Sequence, residues 1–407
     1  MNILVFAPYP PCPPRFGGAA RVYHLLRVLA RTHRVTLLCF ASPGEAAEQA
    51  PLRELGIAVH TVDYPPAARW KRLYQLRSLV GRAYSFYLHT SRPMTAALAG
   101  LLARQRFDLV QVEFGDLGGY YTLPGTVIRV LDEHNVEYQL FERTWRQEQS
   151  PLRRLYYRLQ GRKLRDDELA ACRGVDAILT TSDVDRAILA PQVEGRPIRV
   201  VPNGVDTSYF TPDPAAVDLT RVVFTGAIDY QPNTDGVLHF CAEIWPRVRQ
   251  AAPEATFAIV GKDPPPQVRA LAGDRVLVTG TVPDVRPFMR SAAVFVVPLR
   301  VGGGTRLKIL EAMATGRAVV STSLGCEGIE VTPGEDILIA DTPSAFADAV
   351  LRCLREPALR DRLGARGRAL VERRYRWEAI GDGLSDFYEE LRERRLRASG
   401  PSSAVAK

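Results

Sequence analysis

The chain has 407 residues, 46% of them hydrophobic and 24% charged, which is apolar surface enough for two ordinary cores and excludes a disordered or fibrous protein. Its 53 lysines and arginines outnumber 45 acids, a formal charge of +8, so an anionic partner is expected; nucleic acid, acidic membrane and phosphorylated substrates all meet that requirement. Six cysteines (Cys12, Cys39, Cys172, Cys241, Cys326, Cys353) are scattered with no CxxC pair and no neighbouring histidine cluster, which argues against zinc, iron–sulfur and disulfide frameworks and for reduced thiols.

The opening run MNILVFAPYPP has no basic leader and stops at Pro8, as a buried strand does and a secretion signal does not. No later stretch reaches the roughly 20 apolar residues that span a bilayer, so a cytoplasmic protein, soluble or surface-bound, is expected. Gly17 and Gly18 follow in PRFGGAARVYHLLRVLA, between first strand and first helix, where backbone N–H groups approach a phosphate or sugar. VTLLCF is the next strand. The basic and aromatic stretch Arg69 to Tyr87 offers an amphipathic face suited to an anionic membrane, or else an ordinary solvated helix.

DLVQVE and VIRVLDEH continue the strands, and their alternation with helical stretches predicts βαβ units around a parallel sheet. His134 stands at the end of the second, where side chains of such a sheet project toward a ligand. It suits a hydrogen bond to a sugar or polarisation of a reacting centre, against the plainer reading of a buried histidine satisfied by backbone. Ser182 to Asp185, SDVD, has an Asp-x-Asp spacing, but it opens a helix as a Ser-x-x-Asp cap, so no metal is expected there.

The alternation pauses at IRVVPNGVDTSYFTPDP, rich in proline and glycine, and restarts at RVVFTGAIDY, which predicts a domain boundary near Asn203. ATFAIVG, VLVTGTV, AVFVVPL, AVVSTS and ILIAD then repeat the pattern. Two doubly wound units of this kind bind ligands in a cleft at the carboxyl ends of their strands.

VGGGTRLKILEAMATG, Val301 to Gly316, is the most informative segment. Gly302, Gly303 and Gly304 free the backbone to turn and expose N–H groups, Thr305 is placed to cap the helix from Leu307 to Ala314, and the helix start adds positive potential. Arg306 and Lys308 beside it suit a diphosphate and the charge on a departing nucleotide. A tight turn with solvated cations is the alternative. Glu311, among Leu310, Ala312 and Met313, needs partners; ribose hydroxyls supply them, as does a salt bridge to Arg306 or Lys308. The chain closes with helical spacing from Trp377 to about Arg394, then a frayed tail at 395–407. No G-x-G-x-x-G follows the first strand and no G-x-x-x-x-G-K-[ST] occurs, which weakens dinucleotide oxidoreductase and nucleoside-triphosphatase readings.

FGG, DEHN, VVPNGVD, FTGAIDYQPN, GTVPDV, GGGTRLKILEAMATGRAVVSTSLG and YRWE together resemble glycosyltransferase family 4, in the branch of bacterial exopolysaccharide and surface-glycan synthesis. The resemblance implies an α/β GT-B fold of two facing Rossmann-like domains. Residues 1–202 form the acceptor domain and 203–376 the nucleotide-sugar domain; a helix at 377–394 crosses back onto the first. It implies transfer of a hexose from an NDP-sugar to a glycan or lipid-linked acceptor, with retention and without metal or cofactor; a cytoplasmic location, with room for peripheral contact at the inner face of the cell membrane, is expected. Motif positions map to Gly18 for the diphosphate-facing loop, His134 for the sugar-contacting histidine, Glu311 for the ribose and the backbone of Val282 for the base. Gly17 and the Gly226 and Asn233 of FTGAIDYQPN complete the expected donor contacts.

Two positions depart from the family. Gly303 stands where the first carboxylate of the Glu-x7-Glu motif is usual, and Ala227 where a diphosphate-binding arginine is common. Arg306 and Lys308 are expected to compensate from the other side of the phosphate. A non-catalytic glycan- or nucleotide-sugar-binding protein and a nucleotide-sugar 2-epimerase are the competing classes.

Overall fold

The computed structural model describes residues 1–399 and divides into two compact units, Met1–Val201 with the chain from Glu378 onward, and Pro202–Trp377. In the first, β1 (Asn2–Ala7), β2 (Arg34–Phe40), β3 (Ala58–Val62), β4 (Leu109–Glu113), β5 (Ile128–Glu133), β6 (Ala177–Thr180) and β7 (Ile198–Val200) form one sheet in the order β3-β2-β1-β4-β5-β6-β7. Every pairing is parallel. The central strands are buried along most of their length, as helices covering both sides require, with polar residues gathered toward the carboxyl ends of β4 and β5.

The helices of this unit include α1 (Gly17–Leu29), α2 (Lys71–Val80), α3 (Pro151–Arg173) and α4 (Asp183–Leu189). α1 buries Val22, Leu25, Leu26 and Leu29, one apolar stripe at helical spacing. α4 is capped by Ser182, whose side chain accepts from the Asp185 N–H, so local capping accounts for the SDVD spacing.

The second unit contains β8 (Asp218–Thr225), β9 (Thr256–Val260), β10 (Val276–Val278), β11 (Ala292–Val297), β12 (Ala318–Ser321) and β13 (Leu338–Ile339), in the order β10-β9-β8-β11-β12-β13, again parallel. Strand order reverses between β1 and β4 in one sheet and between β8 and β11 in the other. Such switch points are where open α/β sheets bind ligands. α5 (Gln231–His239) follows β8 and α6 (Leu307–Ala314) follows β11.

The last helix, α7 (Trp377–Ser399), returns to the first unit. It buries Ile380, Leu384, Phe387, Tyr388 and Leu391, and Glu378 pairs with Arg27 of α1 at 2.9 Å. The sequence places its end near Arg394, but Arg395 donates to the Val127 carbonyl at 2.8 Å and the helix runs on to Ser399. Residues 395–399 are therefore helical rather than tail; 400–407 lie outside the described residues. All six cysteines are free, five of them buried.

Candidate active site

In the second unit the turn after β8 and the loop after β11 lie on the two strands that flank the switch point. Gly226, at φ +158°, ends β8 beneath the Lys308 ammonium; a Cβ there would stand 2.7 Å from Lys308 Nζ. Lys308 donates to Asn233 Oδ1 at 2.8 Å and lies 4.0 Å from the Phe224 ring centroid, a cation–π contact. Asn233 in turn donates to the Ala227 carbonyl at 2.7 Å. Asn233, expected as a direct donor contact, thus spends its amide fixing Lys308 over the turn.

Burial pulls Lys308 down to about 7, with the Arg306 charge acting in the same direction and Glu311 opposing. Burial likewise pushes Glu311 up to about 7, Lys308 pulling the other way. No ion pair or side-chain hydrogen bond engages the Glu311 carboxylate among the described residues. The salt bridge considered from the sequence is not formed, and the acid remains available to a ligand.

The loop itself turns through Gly302 and Gly304 at φ +110° and +75°, the left-handed region that glycine enters without a Cβ penalty. Gly303 lies between them. Arg306 folds back on this loop, its guanidinium donating to the Gly303 carbonyl and, at 2.6 Å, to that of Gly304. Arg306 is also the N-cap of α6, with no side-chain cap. Thr305 therefore sits one residue too early to cap the helix as expected, and its hydroxyl is buried without a hydrogen-bond partner among the described residues. Val282 packs, partly buried, against the core of the same unit.

In the first unit the ends of β1, β4 and β5 converge on His134. Its Nε2 lies 2.7 Å from Glu113 Oε2, and its ring stacks, tilted, on Phe114 at 3.9 Å between centroids. Gly17 opens α1, and a Cβ on Gly18 would stand 3.4 Å from His134 Nδ1 and 2.2 Å from the Tyr9 hydroxyl, so glycine keeps the space beside Nδ1 open. Nδ1 is buried and takes no protein hydrogen bond among the described residues. The histidine is therefore not the backbone-satisfied residue of the plainer reading: one nitrogen is held by a carboxylate and the other is left for a ligand.

A line of buried hydrogen bonds supports the histidine from beneath. The Tyr388 hydroxyl donates to Gln111 Oε1 at 2.5 Å, which turns the Gln111 amide nitrogen toward Glu113 Oε1 at 2.6 Å. Burial and the neighbouring Asp132 raise the Glu113 carboxyl, while His134 and Arg21 oppose them. When Glu113 is ionised, His134 Nε2–H donates to it and Nδ1 presents a lone pair; protonating Glu113 reverses that bond and places the ring proton on Nδ1.

Glu113, Asp132 and His134 are close enough to one another to hold an ion, yet Arg21 donates to both oxygens of Asp132, at 2.8 and 2.9 Å, and Gln111 and His134 occupy Glu113. Arg21 also holds the Val201 carbonyl at 2.8 Å. The Arg21–Asp132 pair is fully buried. Replacing Arg21 with methionine leaves Asp132 charged and unpaired, and is expected to cost about 3–5 kcal/mol. Urea unfolding followed by circular dichroism should show an early transition for the first unit; an unchanged profile would mean the pair is not holding these strand ends.

Two parallel Rossmann-like sheets, each with a switch point in its strand order, are the architecture of the GT-B fold. Two family profiles match, Glycosyltransferase Family 4 over residues 16–209 and Glycosyl transferases group 1 over 220–356, and both support a place among the family 4 glycosyltransferases.

Among similar curated proteins, a phosphatidyl-myo-inositol mannosyltransferase of Mycobacterium tuberculosis is 31% identical over 206 residues, covering 47% of this chain and 53% of that protein. The lipopolysaccharide core biosynthesis mannosyltransferase LpcC of Rhizobium leguminosarum is 28% identical over 239 residues, 54% of this chain and 66% of that one. The chain spans about half the length of the curated relatives it matches first.

Among solved structures, sucrose-phosphate synthase of Thermosynechococcus elongatus superposes with a TM-score of 0.72 at 20% identity, over 97% of this chain and 100% of that one. Anabaena HepE in complex with UDP and glucose gives 0.69 at 14% identity, over 95% and 99%. These two establish the shared fold.

Proposed function

We propose that the protein transfers a hexose from a nucleotide-sugar to a glycan or lipid-linked acceptor in bacterial surface-glycan or exopolysaccharide synthesis, with retention of configuration. The observation that carries this reading is the seat at the second switch point: a partly buried lysine held over Gly226 by Asn233, with the Glu311 carboxylate unengaged on the same helix. A diphosphate supplies the anion that Lys308 lacks, and ribose hydroxyls supply the donors that Glu311 lacks. The backbone near Val282 receives the base. The relatives' names, mannosyltransferases of a phosphoinositide and of a lipopolysaccharide core, support a hexose and a lipid-linked acceptor.

In this reading the bond from the anomeric carbon to the diphosphate breaks as the acceptor oxygen approaches from the same face, and the acceptor proton passes to the departing phosphate. Lys308, Arg306 and the N–H groups of the Gly302–Gly304 loop stabilise the charge that develops there. These cations do what a divalent metal does elsewhere, so no metal or other cofactor is proposed. His134 addresses a sugar hydroxyl through Nδ1, and Gly17 and Gly18 leave it room.

A panel of UDP-, GDP- and ADP-sugars, each incubated with and without membrane lipid extract, tests the proposal. Nucleoside diphosphate release from one donor, rising with acceptor, is the expected result. Turnover without acceptor to a rearranged sugar would indicate an epimerase, and binding without turnover a sugar-binding protein.

A further inference from the structure

The foot of the second sheet carries a cavity of about 440 Å³, within the range of about 300–1,000 Å³ usual for small-molecule sites. It lies at the amino ends of β8, β11 and β12, opposite the carboxyl ends that hold the donor seat, and its lining belongs wholly to the second unit. Pro212, Val217, Leu219, Ala292 and Ala365 give it an apolar surface; Arg317, Arg360 and Arg368 give it charge, against a single acid in the lining, Asp361. Consecutive residues build it. Gly316, at φ +70°, turns the chain from α6 into β12 and leaves Arg317 at the foot of that strand. The helix Pro357–Arg374 packs so closely on this turn that a Cβ on Gly364 would collide with the Gly316 carbonyl oxygen, and the same helix brings Arg360 and Arg368 to the cavity.

The charges there are unbalanced. Arg317 is only 8% exposed. Its Nε donates to the Thr315 carbonyl at 3.0 Å and its Nη1 to that of Arg290 at 3.3 Å, and no carboxylate pairs with it among the described residues. Arg290 itself donates to the Thr211 carbonyl and hydroxyl, at 2.9 and 2.5 Å, again with no acid. Arg368 is engaged by Glu372 and by the carbonyls of Thr207, Phe210 and Ala314. Arg360 meets Asp361 at 3.3 Å, but that carboxylate is 74% exposed, where water weakens the pair. Burial lowers the Arg317 guanidinium, with Asp361 and Asp213 opposing and Arg360 adding to the effect. A guanidinium so deeply buried without an acid is unfavourable until an anion completes it. Nη2 of Arg317 and of Arg360 makes no hydrogen bond among the described residues, and such forked donors match phosphate oxygens. Free phosphate would leave the apolar lining wet; an ester of phosphate covers it.

We propose that this cavity binds a small phosphate monoester, with its phosphate on Arg317 and Arg360 and its organic part against Val217, Leu219 and Ala365. The site is separate from the donor seat. Lys308 stands in the first turn of α6 and Arg317 beyond its last, on a helix of eight residues, about 12 Å long, so the proposal does not depend on the donor chemistry.

Isothermal titration calorimetry of the full chain with phenyl phosphate, glycerol 3-phosphate and inorganic phosphate tests it. The expected result is one site per chain, with phenyl phosphate at least tenfold tighter than inorganic phosphate and glycerol 3-phosphate between them. Arg317→Gln with Arg360→Gln should weaken the phenyl ester at least tenfold, and Arg306→Ala with Lys308→Ala should leave it unchanged. Because Arg317 also holds two carbonyls, Ala365→Phe supplies a second variant: it keeps every cation, fills the cavity from an exposed helix position, and should abolish binding while the circular dichroism stays that of wild type. Nucleotide-sugar binding is expected unchanged in both cavity variants, since none of these positions touches the donor seat. Four outcomes overturn the proposal: no binding of any of the three probes, binding that survives Ala365→Phe, binding lost with Arg306→Ala and Lys308→Ala, which would put the ester in the donor seat, or inorganic phosphate binding as tightly as phenyl phosphate, which would make the cavity a simple phosphate site.

Discussion

Converting Arg306 and Lys308 together to alanine is expected to weaken nucleotide-sugar binding at least about 100-fold, since two charge-assisted bonds to phosphate contribute about 1.5–3 kcal/mol each. Lys308 gives the effect a second signature. Lys308 titrates near 7 without ligand, so at pH 8 it is about nine-tenths neutral, and an arriving diphosphate recharges it. Binding should then take up most of one proton, measurable by calorimetry in two buffers of different ionisation enthalpy.

The sign of the pH dependence follows. Above pH 7 donor affinity falls, by about tenfold per unit, until Lys308 titrates in the complex. Below pH 7 the Glu311 carboxyl, itself near 7, becomes protonated and loses the charge that strengthens its bonds from ribose, so affinity falls there too. Unchanged affinity in the double variant, or binding without proton uptake at pH 8, would remove these cations from the donor site.

Glu113→Gln is expected to lower turnover about 10- to 100-fold, the size of one charge-assisted hydrogen bond, while nucleotide-sugar affinity and the thermal midpoint stay near wild type. The reason lies in the direction of each hydrogen bond. Tyr388 fixes the Gln111 oxygen, so the Gln111 amide must donate to residue 113. A glutamine at 113 then turns its own oxygen to Gln111 and its NH2 to His134 Nε2. The imidazole proton moves to Nδ1, which changes from acceptor to donor beside Gly18. Glu113→Asp, which keeps the charge, should recover part of the rate. Equal loss of donor binding and turnover in Glu113→Gln would assign the residue to packing instead.

Much of the fold was legible because its signals are local. Continuous apolar runs marked the central strands, the prolines and glycines around Asn203 marked the passage between sheets, and α6 begins and ends at Leu307 and Ala314 as its apolar spacing indicates. The loop residues Gly226, Gly302, Gly304 and Lys308 were legible for the same reason: turn chemistry and a cation at a helix start are written in consecutive positions.

What was hidden depends on distant juxtaposition. Glu113 faces Asp132 only through the β4–β5 register, Arg21 reaches Val201 across 180 positions, and Tyr388 reaches Gln111 across 277. A glutamine and an acid in one short buried strand, Gln111 and Glu113, were the available hint. Asn233 fixes Lys308 across 75 positions, a pairing that no local pattern announces. Thr305 has the residue type of a cap, but the helix starts one residue beyond its reach.

The central claim is that the nucleotide-sugar sits at the β8–β11 switch point of the second unit. Hydrogen–deuterium exchange of the full chain, with and without the nucleotide-sugar that the donor panel selects, tests it most directly. Added protection should fall on peptides covering 226–234 and 301–311, and should vanish in the Arg306→Ala, Lys308→Ala variant. Protection confined to other segments, or none at these two in the presence of a bound donor, would contradict the account.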